Sequence, residues 1–304
     1  MAPMKETLAP SVTTRDSKGL KLLSIVEAAY NKAGLSEEEA QRVNDTPGLA
    51  ELIGDFIAKS RCGNQYADEE VEAQFDYPPE YTGPKPIDEQ IKVLVEIFDL
   101  DSAQALEYAK NLPELPEGAE GWFAIPSVSA LAKRFFPEVA DPAEQYCRAV
   151  QLVHEKLGDS RKFFNYRDGQ ITSEHLRVHA RTAQALDLIA EKQPGDILVI
   201  AGQLGKLHAG ESIRRARELF KANEFGLGAL AVCSIALTHP ERFVRWEQLH
   251  ADCAGDEFGS NADGDFDKAP YLIFRGGGVG FNTDHVSNSN ERFGAVSAFG
   301  PQQS

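Results

Sequence analysis

Apolar positions along the chain change period several times, and each change marks a different kind of element. Leu20, Leu23, Val26 and Tyr30 recur near three-to-four spacing behind Asp16 and Ser17, which predicts a capped helix to about Lys32. Ser36-Glu37-Glu38-Glu39 is a capping box, the serine oxygen taking an orphan amide while Glu39 reaches back. Thr46-Pro47 opens a third helix with Leu49, Leu52, Ile53, Phe56 and Ile57 on its apolar face. From Cys62 to Pro86 periodicity dissolves into acidic and proline-rich sequence, which reads as a linker or extended arm. Helices follow at Ile87 to Phe98, with Ile91, Leu94, Val95 and Phe98 on one side, and at Ser102 to Asn111.

Beyond Pro113 the pattern turns mixed. Gly121 to Pro126 reads as a strand, and Asp141-Pro142-Ala143-Glu144 caps a helix to about Lys156. Lys162 to Arg167 reads as a second strand, closed by the turn dipeptide Asp168-Gly169. A long helix is predicted over Ser173 to Lys192, stopped by Pro194-Gly195 and followed by a buried strand at Ile197 to Ile200. Two helices, Gly210 to Ala222 and Phe225 to Leu237, precede short strands at Gln248 to Cys253, Tyr271 to Phe274, Val279 to Phe281 and Phe293 to Phe299. A strand, then helices, then several strands is an α+β order. The expected organisation is a helical module at residues 1–61, a linker at 62–86, a helical hairpin at 87–112 and an α+β domain at 113–304.

Charge narrows the partners. A net charge of -16 and a pI near 4.9 argue against nucleic-acid or anionic-membrane binding, because affinity for phosphate rests on Lys and Arg. No run reaches the roughly 20 apolar residues of a spanning helix, so no membrane insertion is expected. Met1 to Asp16 carries no apolar secretory core, and Cys62, Cys147, Cys233 and Cys253 are far apart with no C-x-x-C, so the expected location is cytoplasmic; surface display stays open.

Several motifs come close to known chemistry and stop short. Ile197 to Ser212 has the strand, glycines and helix of a phosphate loop, but Ile200 stands where the spacing needs glycine and Leu207 where it needs a hydroxyl. Lys206, His208, Arg214, Arg215 and Arg217 make the most basic segment, either an anion site or a salt-bridged helix face. His175 and His179 would share a face of the predicted helix, but Leu176 replaces the zincin glutamate and two arginines flank the pair. Asp252, Asp256, Glu257, Asn261, Asp263, Asp265 and Asp267 form an acidic group whose alternating oxygens would suit calcium, with Asp263, Asp265 and Asp267 as the candidate ligands. Phe266 occupies the place of the EF-hand glycine, and the dull reading is a solvated turn-rich loop. No G-x-S-x-G elbow and no defensible Cys-His pair is present.

The tail is the most informative stretch. Arg275-Gly276-Gly277-Gly278-Val279-Gly280-Phe281 leads through the polar tract Asn282 to Asn290 to Arg292-Phe293-Gly294-Ala295-Val296, and the tract has no core-forming pattern, so it is expected to be displayed. With Arg275-Gly276-Gly277 near its start and the closing Arg292 to Val296, the tail resembles the C-type lectin-like domain of variable proteins of diversity-generating retroelements. It departs from that pattern where Gly278-Val279 follows the glycine pair in place of tryptophan, and where Phe293-Gly294 reverses the usual order. Tyr81 to Pro86, Asn223 to Gly228 and Asp252 to Glu257 are similar to proteins of uncultured small-genome bacteria, a resemblance that brings no biochemical role. The lectin-like resemblance implies a binding surface diversified at adenine-rich codons. Every residue from Phe281 to Asn290 belongs to the set that such mutagenesis produces from asparagine codons.

The resulting expectation is a ligand-binding protein, not an enzyme, with no cofactor and an unknown protein or surface ligand as partner. Its ligand-binding residues would be Phe281, Asn282, Thr283, Asp284, His285, Ser287, Asn288 and Asn290. The alternatives are a metal-dependent hydrolase using the Asp252 to Asp267 carboxylates and a structural or interaction protein assembling through its N-terminal helices.

Overall fold

A computed structural model describes residues 27–28, 30–46, 49, 65–260 and 265–300. The chain divides into two compact units, Met1–Arg61 and Cys62–Ser304. In the first, α1 (Glu37–Asn44) begins as its sequence dictates: Ser36 Oγ accepts from Glu39 N–H at 3.3 Å, and Ser36 N–H donates to the Glu39 carboxylate at 2.9 Å. Most of the apolar face expected at Leu49 to Ile57 lies outside the described residues.

The second unit is α+β. Its elements are α2 (Ile87–Phe98), α3 (Ala103–Ala109), β1 (Gly121–Pro126), α4 (Val128–Phe135), α5 (Pro142–Ser160), β2 (Phe163–Asn165), β3 (Leu176–Val178), α6 (Ala180–Lys192) and β4 (Ile197–Gln203). Then come α7 (Ile213–Leu219), β5 (Glu224–Gly226), α8 (Ala229–Thr238), β6 (His250–Asp252), β7 (Asp256–Phe258), β8 (Lys268–Arg275), β9 (Gly278–His285), β10 (Phe293–Ala295) and β11 (Ser297–Phe299). One sheet is antiparallel in the order β1-β4-β11-β5; the other runs β10-β6-β8-β7-β3, with β9 paired to β8 and β2 to β9. The last strand changes sheets at Val296, whose N–H donates to Asp252 O at 3.0 Å and whose carbonyl accepts from Leu227 N–H at 2.9 Å.

Local sequence accounts for several boundaries. α2 buries Ile91, Leu94 and Phe98, the side its periodicity marks, and ends where Asp99 turns left-handed at φ 50°. Asp141 caps α5 through Ala143 N–H, with Pro142 in the first turn. α8 is apolar all round and every one of its residues is buried; Ser234 and Thr238 avoid an orphaned hydroxyl by donating to Leu230 O and Ile235 O.

Two helix starts change. The helix predicted over Ser173 to Lys192 starts only at Ala180, because Leu176–Val178 is drawn into β3 by antiparallel pairing with Asp256–Phe258. Likewise Phe225 belongs to β5, paired with β11, and the helix begins at Ala229. The segment read as a linker or arm belongs to the second unit by contact: Val71 N–H donates to Gly210 O, Gln74 N–H to Glu291 O, and Leu249 N–H to Asp76 O.

The sheets meet where Gly226–Gly228 crosses Ala254–Asp256 backbone to backbone. Gly255 N–H donates to Leu227 O at 2.9 Å, and a Cβ on Gly255 would lie 2.5 Å from Gly228 N. Asp256 seals the crossing: its carboxylate accepts from Ala229 N–H at 2.6 Å, capping α8 from another strand, and from Tyr146 OH at 2.7 Å. Burial pushes the Asp256 carboxyl up to about 7 against the pull of these donors. Gly255→Ala is expected to cost about 3 kcal/mol or more, since backbone must move on both sides. Gly158→Ala, in α5 with nothing within 4 Å, should gain about 0.5–1 kcal/mol. Urea denaturation of the two variants tests the contrast, and equal effects would show the crossing to be loosely packed.

Candidate ligand-binding face

Register decides which side chains each strand of the second sheet shows to solvent. Leu272 lies opposite Phe281, and both are fully buried, so that row faces the core. The neighbouring rows face the other way. Asp252 is opposite Tyr271, and Tyr271 opposite Asn282; two residues along, Ile273 is opposite Gly280, and Gly280 opposite Phe164. Phe293, paired with His250, closes this outer face on the β10 side, its ring 5.2 Å from Tyr271.

The polar tract read as displayed is therefore strand as far as His285, and the alternation of that strand divides its residues. Phe281 is in the core, its ring 4.3 Å from His154, and Thr283 is 6% exposed with an unpaired hydroxyl. Neither can present itself to a ligand, which corrects the expectation for these two. Asn282 is half-buried on the outer face and Asp284 is exposed. Asp284 Oδ1 accepts from Asn288 Nδ2 at 2.9 Å, and exposed His285 pairs with Asp267 at 2.9 Å. Ser287 is half-buried, Asn288 and Asn290 are exposed, and Asn290 Oδ1 accepts from Arg292 N–H at 2.9 Å. The Arg275-Gly276-Gly277 motif is the β8–β9 hairpin turn, with Gly276 and Gly277 at φ 63° and 78°, where a side chain would be strained.

Residues that the sequence reading passed over complete the face. Phe164 and Tyr166, two apart on and just after β2, stack at 6.2 Å, and Tyr166 is 53% exposed. Gly280 leaves room for them, since a Cβ there would lie 3.2 Å from the Tyr166 ring. Trp246, 39% exposed, leans on His250 beside the hairpin turn. The signal was present in Phe163-Phe164-Asn165-Tyr166, where the aromatic residues at alternate positions share a face.

Two outward side chains on β6 lack side-chain hydrogen-bond partners among the described residues. The Asp252 carboxyl is 7% exposed, and burial, reinforced by Asp284, raises it to about 8. His250 is fully buried between Trp246 and Phe293 with both ring nitrogens unpaired, and burial with Arg242 and Arg292 nearby lowers it to about 3. Larger hollows of about 550 and 630 Å³ lie by β4 and α6, but none of their lining residues leaves a buried polar atom unpaired.

Other candidates resolve into scaffold. Arg214 pairs with Glu69, Arg215 with Glu70 and Glu218, Lys206 with Asp76, and Arg217 donates to Ala254 O and Asp256 O, so the basic segment is a salt-bridged face. His175 precedes β3 and His179 precedes α6, which separates the helical pair. Of the acidic group, Asp256 caps α8, Glu257 pairs with Arg177 at 2.8 Å and Asp267 with His285, while Asp265 is exposed; Asn261 and Asp263 lie outside the described residues. Among the described residues no three His, Cys, Asp or Glu side chains converge as metal ligands, and no helix is long and apolar enough to cross a membrane. No protein-family model, curated protein or solved structure matches the chain.

His208 shows what the scaffold charges do. Burial alone would depress it, but hydrogen bonds to Glu211 at 2.8 Å and Glu224 at 2.7 Å outweigh that and raise it to about 9. Glu224 also accepts from Ser297 Oγ at 2.6 Å, which ties β11 to β5. A raised histidine contributes stability in full below its unfolded value near 6.5 and loses it as pH climbs through 9. The stability difference between the wild type and His208→Gln should therefore be largest, about 3 kcal/mol, below pH 6.5, and shrink by pH 9.5. Denaturation at several pH values reads it; a pH-independent difference would contradict the charged pairing.

Proposed function

We propose that the chain is a ligand-binding protein that works by recognition without chemistry. Its surface is the outer face of β2, β9, β8 and β6 together with the exposed part of the 282–290 tract, carried on a lectin-like scaffold and diversified there. One observation carries the reading: the face turned to solvent holds Phe164, Tyr166, Tyr271 and Trp246 beside Asn282, Asp284 and Asn288, where an open sheet face is ordinarily polar. Rigid aromatics supply area at small entropic cost, and amide and carboxylate groups supply adaptable hydrogen bonds. The two-sheet scaffold fixes the backbone under them.

Two measurements test it. Copies of the gene sampled from one population should differ at Asn282, Asp284, His285, Ser287, Asn288 and Asn290 while Phe281 and Thr283, which face inward, stay constant. Substitutions spread evenly along the chain would refute diversification. Replacing Asp284, His285 and Asn288 together by alanine should shift the melting temperature by no more than about 2 °C, because their partners are exposed. A loss of folding would make the tract structural.

A further inference from the structure

The outer face carries a feature that surface packing leaves unexplained. Asp252 is only 7% exposed, yet among the described residues its carboxyl has no hydrogen-bond partner and no cation acting on it, and solvent reaches it only at its edge. Buried carboxylates are ordinarily paired, and an unpaired one costs several kcal/mol in the charged state. Register sets its direction: opposite Tyr271, which is opposite Asn282, it points to the same side as both. Both of those side chains are half-buried, and exposed Asp284 lies close enough to act on the Asp252 charge. His250, the preceding outward residue of β6, is the second buried polar side chain here with no partner.

Taking this face as the ligand-binding surface proposed above, we infer that the row Asp252, Tyr271 and Asn282, with Asp284 beside it, receives a primary ammonium group of the ligand, of the kind a lysine side chain carries. The ammonium needs carboxylate and carbonyl oxygens, which Asp252 and Asp284 Oδ2 offer, with Asn282 Oδ1 as a shared acceptor that already takes Thr283 N–H at 2.9 Å, and it gains from aromatic faces, which Tyr271 and Phe293 offer. The row itself carries no arginine or lysine; of the basic side chains of α7, Arg214 and Arg215 are committed to Glu69, Glu70 and Glu218 and Arg217 to Ala254 O and Asp256 O, while Arg167, the cation that acts on Tyr271, lies over the Phe258 ring and donates to Gln170. An anion would meet two carboxyl groups. The net charge of -16 adds long-range attraction for a cation.

The chemistry has a pH signature. Asp252 holds its proton in the free protein at neutral pH, and the arriving ammonium displaces it to solvent, leaving a carboxylate paired with a cation. The other groups around this position are Asp284 on β9, Tyr271 on β8, whose phenol burial raises and on which Arg167 also acts, and His250 on β6, held neutral with Arg242 and Arg292 near it; β10 contributes Phe293, Gly294 and Ala295, and Ala295, opposite Asp252, is buried in a cluster with Ile213, Ala216 and Phe220. Affinity should therefore rise with pH toward 8 and level off above it.

The experiment titrates the full chain with N-acetyl-lysine methylamide and with its neutral counterpart, N-acetyl-norleucine methylamide, following backbone amide resonances of β6, β8 and β9 by NMR. The lysine probe should shift these resonances, bind roughly tenfold more tightly per pH unit between 6 and 7.5, and lose binding in Asp252→Asn, whereas the norleucine probe should not bind. If both probes bind equally and Asp252→Asn changes neither, the ligand class is wrong while the face remains a binding surface. If neither probe shifts the face at any pH, the ammonium site is overturned, and population sequencing still judges the binding reading separately. Asp252→Asn should keep the wild-type amide spectrum elsewhere, which separates loss of the site from loss of fold.

Discussion

Two glycine-bearing segments, Glu224–Gly228 and Ala254–Asp256, cross with their backbones touching, and the arrangement of both sheets follows from that approach. A side chain on Gly228 would strike both Asp256 and Tyr146, and one on Gly255 would strike Gly226 and Gly228. With the backbones this close, Val296 can bond Asp252 on one side and Leu227 on the other, so the final strand passes from one sheet to the next without a loop. Asp256 then does for α8 what a local capping residue does for other helices. Its burial is costly, and the Tyr146 and Ala229 donors offset part of that cost.

This crossing also positions the candidate face. β6 ends at Asp252, immediately before the crossing, and β7 starts at Asp256 within it, so β8 and β9 are laid down on strands already fixed. The inner rows of β8 and β9 fill the core with Leu272, Val279 and Phe281; on the outer side Tyr271, Asn282 and Asp284 carry aromatic and polar groups, while Ala269 and Ala295 are buried in a second cluster with Ile213, Ala216 and Phe220. On β6, held between β10 and β8, burial and the nearby Asp284 charge raise the Asp252 carboxyl to about 8.

Elements specified by neighbouring residues were legible in the sequence: the Ser36 capping box, the Asp141-Pro142 cap, the apolar side of Ile87–Phe98 and the strand Gly121–Pro126 all stand where local chemistry puts them. What was misread depends on distant partners. Leu176–Val178 looks helical until Asp256–Phe258 pairs with it, and Phe225 until β11 arrives from the chain end. The basic segment could not be assigned because Glu69, which neutralises Arg214, is 145 residues away. In the tail, the polarity of Asn282, Asp284 and His285 concealed a strand whose alternate residues Val279, Phe281 and Thr283 face inward, so a run of neighbours read as displayed is divided between two sides of a sheet. Asp252 and Tyr271 reach that side only through cross-strand register, which no local pattern contains.

The most direct test is the ionisation of one group. In the full chain labelled with ¹³C at aspartate side-chain carboxyls, with Asp252→Asn to assign the signal, the Asp252 carboxyl should titrate near pH 8. A midpoint at or below about 4, the ordinary aspartate value, would mean that the carboxylate is already solvated or paired, and would contradict a face that holds an unsatisfied acid for its ligand.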